Sequence, residues 1–194
     1  APEPGWTVEA EAPGLTGRGR GFRMALSERT FRLTRPLELK YTLPDELQDR
    51  PEGREEYLEL AAGSGWILDE GRTIRLEDGV TMRSARSRLS GAEMVIQLDS
   101  KHRVREAATT GAARFSRRDP AGELQLDGGA IVFRLTPAGD RLESVSADGD
   151  ARLRLNGDEL SAAQIRIGAD STGRIAAVQA TGGSRFATVR TGQE

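Results

Sequence analysis

The sequence predicts an all-β fold: an antiparallel sheet of long strands, each bent near its middle, so that the sheet folds along its length into a V or flattened roll. Apolar residues alternate with period two over long stretches, as strands require. Two interleaved motifs recur through the C-terminal two-thirds of the chain. Glycine accounts for 23 of 194 residues, about twice the usual share and without a collagen period, so it needs a structural reason.

The elements are justified in chain order. Trp6, Val8 and Ala10 alternate, as do Phe31 and Leu33, and then Leu37, Leu39 and Tyr41 after Pro36. They predict one or two strands, the second an edge strand because it carries proline. The polar, acidic stretch 43–54 reads as a loop and is the one candidate boundary in a chain otherwise expected to be a single domain, 1–194. Residues 1–57 form its less regular part and 58–189 its repeat region. Tyr57, Leu58, Leu60, then Trp66, Ile67, Leu68, and Ile74, Leu76, Val80 lead into the repeat.

In the repeat, Val104–Gly111, Leu142–Gly149 and Ile175–Gly182 share one spacing. An apolar residue is followed three positions on by Ala107, Val145 or Val178, then by Thr109, Ala147 or Ala180, then by the glycine. Arg114-Phe115, Arg152-Leu153 and Arg185-Phe186 follow at a fixed distance. The second motif is Leu89-Ser90-Gly91, Leu126-Asp127-Gly128 and Leu160-Ser161-Ala162. Its copies are followed five and seven positions on by Met94/Ile96, Ile131/Phe133 and Ile165/Ile167. Turn chemistry at 99–102, 119–122, 137–140, 156–157 and 170–173 separates strands near 87–98, 103–116, 123–135, 141–155, 159–168 and 174–189. Asn156-Gly157 is the strongest hairpin signal. Several of these strands run well beyond the usual five or six residues, and each has Gly or Ala near its middle: Gly91, Gly111, Gly128, Gly149, Ala162 and Gly182. Mid-strand glycine marks a bulge or bend. The apolar phase also flips there: Leu124 and Leu126 are even, Ile131, Phe133 and Leu135 odd. An extra residue at the bend lets both arms keep their apolar side toward one interior. On pattern alone that interior is either an open hollow or an ordinary closed sandwich core.

Composition narrows the function. Lys+Arg 28 against Asp+Glu 30 leaves a net charge of -2, which argues against an electrostatic grip on nucleic acid. With no cysteine there is no disulfide framework, thiolate nucleophile or zinc-thiolate site. No apolar run approaches a membrane span. The start Ala1-Pro2-Glu3-Pro4-Gly5 carries no leader and reads as a mature or trimmed form. His102, the one histidine, lies in a turn with no serine or cysteine elbow, so no catalytic residue is assigned. Asp148-Gly149-Asp150 lacks the remaining ligands of a calcium loop, Asp170-Ser171-Thr172-Gly173 reads as a hairpin turn, and Gly17-Arg18-Gly19-Arg20-Gly21 is a single short tract in an acidic chain. No phosphate loop or dinucleotide fingerprint is present. The expectation is a protein that is not an enzyme and has neither cofactor nor metal.

From about Leu58 to Phe186 the chain resembles the periplasmic lipopolysaccharide-transport proteins of the OstA-like family, the A and C components of the Lpt bridge. The matching features are the Gly-x-x-Arg-Phe stations at Gly111 and Gly182, the Leu-Ser-Gly, Leu-Asp-Gly and Leu-Ser-Ala starts, and the Val/Leu/Ile-to-Ala-x-Gly ends. The lead-in Ala61-Ala62-Gly63 to Trp66-Ile67-Leu68, then Ile74 to Val80, is similar to the entry into the repeat of the C component. The resemblance implies an open β-jellyroll, or β-taco, whose hollow holds the acyl chains of lipopolysaccharide or another acylated lipid. It implies a periplasmic module joined edge to edge to other β-jellyroll modules and supplied by an inner-membrane transporter. The N-terminal membrane helix of the C component is not in this sequence.

With that function, Met94, Ile96, Leu98, Phe115, Ile131, Phe133, Leu135, Leu153, Ile165 and Ile167 are expected to line the groove. The last strand, 174–189, carries no proline to blunt it and is expected to pair with another module unless the tail or a loop covers it. Two other classes compete. A structural or protein-interaction module of the cell envelope would have a filled core and act through edges or loops. A carbohydrate-active β-fold would need aromatic platforms, yet aromatics are only 5% of residues and scattered.

Overall fold

A computed structural model describes residues 7–12, 15–25, 30–42, 57–101, 103–119, 122–138, 141–170 and 175–188. The strands are β1 (Thr7–Ala12), β2 (Leu15–Ala25), β3 (Thr30–Thr42), β4 (Tyr57–Leu68), β5 (Thr73–Glu77), β6 (Val80–Arg83), β7 (Ser87–Gly91), β8 (Glu93–Leu98), β9 (Val104–Asp119), β10 (Gly122–Leu135), β11 (Leu142–Leu155), β12 (Asp158–Ala169), β13 (Ile175–Thr181) and β14 (Arg185–Thr188). The helical content of the described residues is one 3-10 turn, Asp69–Gly71. Every pairing is antiparallel, in a single sheet ordered β1-β2-β3-β4-β5-β8-β9-β10-β11-β12-β13, with β6, β7 and β14 off that path.

Those three strands explain the shape. β5 and β6 are two arms of one broken strand, as are β7 and β8, and β13 and β14. One arm of each joins a first wall: β6 pairs with β4 and β7, β7 with β9, and β14 with β12. The other arms join a second wall through β5, β8 and β13. The unbroken strands β4, β9, β10, β11 and β12 run through both walls, and a crease crosses all of them.

The crease is built in two alternating ways. In β4, β7/β8, β10 and β12 the inward face changes parity: Leu60 and Ala62 give way to Gly65, Leu89 to Met94, Leu126 to Ile131, and Ala162 to Ile165. In the strands between them, parity is kept by inserting two consecutive residues with left-handed backbone. These are Asp78-Gly79, Gly111-Ala112, Gly149-Asp150 and Gly182-Gly183. Register breaks at the same places, between Gly128 and Ala130 and between Asp148 and Ala151. Two residues thus oppose one across each such step, which is a bulge that bends the ladder. Gly111 (φ 77) needs its hydrogen twice over, because a Cβ there would also strike the Cβ of Ala92. Gly149 (φ 77) has no neighbour nearer than 3.4 Å to such an atom, so backbone conformation alone selects it. Each repeat glycine therefore sits on the crease, and one repeat is two strands.

The turns follow their chemistry. Asn156 (φ 52) and Gly157 (φ 95) both have positive φ, the two-residue type I′ hairpin whose twist suits flanking strands. Asn156 also accepts at Oδ1 from the Glu123 N–H at 3.0 Å, tying that hairpin to the start of β10. Asp99 closes the β8–β9 turn by accepting from the N–H groups of Lys101 (2.8 Å) and Arg103 (3.0 Å). The Arg103 guanidinium on its other oxygen, at 2.6 Å, is the main reason its carboxyl is lowered to about 2. His102, 43–54 and 171–173 lie outside the described residues.

Near the N-terminus the expectation needs correcting. Three strands precede β4, and the one carrying Pro36 is not an edge: β3 pairs with β2 on one side and β4 on the other. Pro36 is tolerated because register breaks between Thr34 and Leu37, so proline falls where the ladder needs no donor from it. Leu37, directly after it, is 3% exposed and belongs to the core.

Candidate functional site

The folded sheet encloses one apolar interior, and the register fixes its lining. On the first wall a row runs directly across the strands: Leu39–Leu60–Met82–Leu89–Phe115–Leu126–Leu153–Leu160–Phe186. On the second wall, nearest the crease, lies Leu76–Met94–Thr109–Ile131–Ala147–Ile165–Ala180. One step farther out lies Ile67–Ile74–Ile96–Ala107–Phe133–Val145–Ile167–Val178. Each row follows the axis of the roll, perpendicular to the strands, so the inward side chains form one continuous, mostly apolar core between the walls.

The walls touch. Phe115 is on the first wall and Phe133 on the second, yet their ring centroids lie 5.1 Å apart at 76°, an edge-to-face contact. Phe115 pairs with Leu126, seven residues before Phe133 on β10. On a flat sheet the two rings would stand about 23 Å apart along the strand. Only folding at the crease brings them together.

Nearly all the residues expected to line the groove face this interior. Met94, Ile131, Leu153, Ile165 and Ile167 are buried, and Ile96, Phe115 and Phe133 pack against them half-buried. Leu98 and Leu135 lie at the outer ends of their strands, half-buried and outside the packed cluster. Leu76, Val80, Leu89, Leu126, Val145, Ala147 and Ala151 are buried in the same cluster. Leu89 and Leu126 could have been found from sequence, since they open the Leu-Ser-Gly and Leu-Asp-Gly motifs.

Thr109 is the polar exception in the deepest row. It is fully buried, and its hydroxyl has no hydrogen-bond partner. The outward face is charged and paired: Arg114 Nε–Asp127 at 2.7 Å, Arg134 Nε–Glu106 at 2.9 Å and Arg154 Nε–Glu159 at 2.9 Å. These are exposed pairs, screened by water and of little weight in stability. They mark which side meets water. Asp148 at the crease accepts from Gln164 Nε2, and no group of three or more metal-ligating side chains occurs among the described residues. A cavity of about 920 Å³ opens among β2, β3, β4 and β6, where Leu39 and Leu60 of the first-wall row meet Arg18, Glu38, Lys40 and Glu59.

The interior opens toward the C-terminal edge, where Ile175 is 47% exposed, Val178 39% and Phe186 67%. This folded sheet has a solved counterpart in overall fold. The chain shares its fold with LptH. The crystal structure of LptH is described as that of the LptA-homologous periplasmic component of the lipopolysaccharide transport device of Pseudomonas aeruginosa. It superposes with a TM-score of 0.57 over 75% of this chain and 99% of LptH, at 15% sequence identity. No family model matches the chain, and neither does any curated protein. At that identity LptH establishes the LptA-like β-jellyroll and not a shared activity.

Proposed function

We propose that the protein is a non-enzymatic periplasmic module that carries lipopolysaccharide or a related acylated lipid in the interior of the roll. In this reading it receives the lipid from an inner-membrane transporter and passes it toward the outer membrane. One observation carries it: apolar rows in register extend along the roll axis out to the last strand, where Val178 and Phe186 lie open. The role stated for LptH, whose fold is shared, supports it. Burying a methylene is worth about 0.8 kcal/mol, so six methylenes in the channel would supply about 5 kcal/mol. Acyl chains enter by displacing the contact between Phe115 and Phe133, since those rings hold the walls together. Neighbouring β-jellyroll modules join through the outer side of β13 and β14, prolonging both sheet and channel so that the lipid passes on without meeting water.

The test places photo-crosslinking amino acids at Phe133 and Ile165 inside and at Arg134 outside. Lipopolysaccharide captured at the two inner positions and not at Arg134 is the expected result. Capture at Arg134 alone would overturn the reading.

A further inference from the structure

Strand β9 differs from β8 and β10, which flank it on the second wall, on its inward face. Where its neighbours β8 and β10 present Met94, Ile96, Leu126, Ile131 and Phe133 to the interior, β9 presents Ala107 and Thr109 before the crease and Ala113 and Phe115 after it. Beyond these, at its two ends, the same alternation brings in Arg105 and Arg117. Both are half-buried, whereas the outward Arg114 and Arg118 are exposed. Arg105 Nη1 donates to the Thr136 carbonyl oxygen at 3.2 Å, a neutral acceptor that leaves its charge uncompensated. Arg117 stands between Ser87 and Leu124 in the ladder.

Position gives the pair its meaning. β9 crosses the crease, so Arg105 is at the rim of the second wall and Arg117 at the rim of the first. Arg117 lies one inward step beyond Phe115. Arg105 lies one step beyond Ala107, which pairs with Phe133. The two rings meet at 5.1 Å, so both guanidinium groups stand at the mouth, just outside the point where the walls touch. Two cations flanking an apolar slot fit an amphiphile with an anionic head and buried tails, because guanidinium groups bind phosphate or carboxylate oxygens in forked pairs. The residues beneath them on the same strand, Ala107, Thr109 and Ala113, are small.

We propose that Arg105 and Arg117 form a headgroup site, one from each rim, that selects anionic over neutral lipids and fixes the headgroup at β9 while the acyl chains lie in the interior. The inference rests on the reading of the interior as a lipid channel. It assigns the headgroup chemistry and the residues that recognise it.

The experiment compares 1-myristoyl-lysophosphatidylglycerol with 1-myristoyl-lysophosphatidylcholine, which share one acyl chain, below their micelle concentrations on the full chain. The expected result is a preference of about tenfold for the anionic lipid in the unmodified protein. The double variant Arg105→Gln/Arg117→Gln, with its circular dichroism and melting temperature unchanged, should lose that preference while binding the neutral lipid as before. Arg105→Lys/Arg117→Lys should restore most of it. An anionic preference that survives the glutamine variant overturns the headgroup site, as does equal loss of both lipids. Competition by glycerol phosphate as strong as that by the lipid overturns it too, because the pair would then be a site for free phosphate. If neither lipid binds the unmodified protein, the channel reading itself fails and the headgroup site falls with it.

Discussion

Thr109 carries an unpartnered hydroxyl in the most buried row of the interior, and such an orphan costs about 1–3 kcal/mol. Valine has nearly the same shape without the hydroxyl. Thr109→Val is therefore expected to raise stability by about 1 kcal/mol, read as a higher melting temperature in the lipid-free protein. A lower melting temperature would mean the hydroxyl has a partner after all. The crease glycines separate two causes in the same way. Gly149→Ala meets only the left-handed backbone penalty, about 1 kcal/mol. Gly111→Ala adds a collision with Ala92 and should cost roughly 2 kcal/mol or more. Equal losses in denaturant unfolding would show that the crease is looser than its contacts suggest. The crease glycines were readable in advance because glycine is a backbone instruction and the repeat shows where it recurs. The isolation of Thr109 was not, since a threonine in a strand says nothing about which acceptors will surround it.

At the scale of the element, β13 and β14 end the sheet. Each pairs with β12 alone, and no described strand covers their other side. An uncovered edge is a template for another chain. Thr188 is the last residue of β14, opposite Asp158, and a proline there removes a donor at little cost to the rest of the sheet. Thr188→Pro should leave the circular dichroism unchanged and weaken self-association, measured by sedimentation. Unchanged association with an intact fold would remove edge pairing through this strand. The strand boundaries from β7 onward were legible because period-two alternation and turn residues agree there. At β3 they misled: proline usually signals an edge, but a bulge opposite β4 can absorb it, and a bulge depends on the partner strand as much as on the residue itself. The break between β13 and β14 at Gly182-Gly183 likewise follows from β12, which meets β13 on the second wall and β14 on the first.

For the whole molecule, the crease turns local alternation into a directed interior. A phase flip in one strand and a pair of left-handed residues in the next leave every inward residue facing the same space, so the rows stay in register from wall to wall. The contact between Phe115 and Phe133 was not legible, because it depends on the angle between the walls, which no strand encodes alone. That contact also states what the lipid must do. The central claim is that acyl chains lie between the walls, and a crystal structure grown with 1-myristoyl-lysophosphatidylglycerol tests it most directly. The prediction is acyl density against Met94, Ile131, Leu153, Ile165 and Ile167, with the Phe115 and Phe133 rings drawn apart. Density confined to the outer face, with the two rings still in contact, would contradict it.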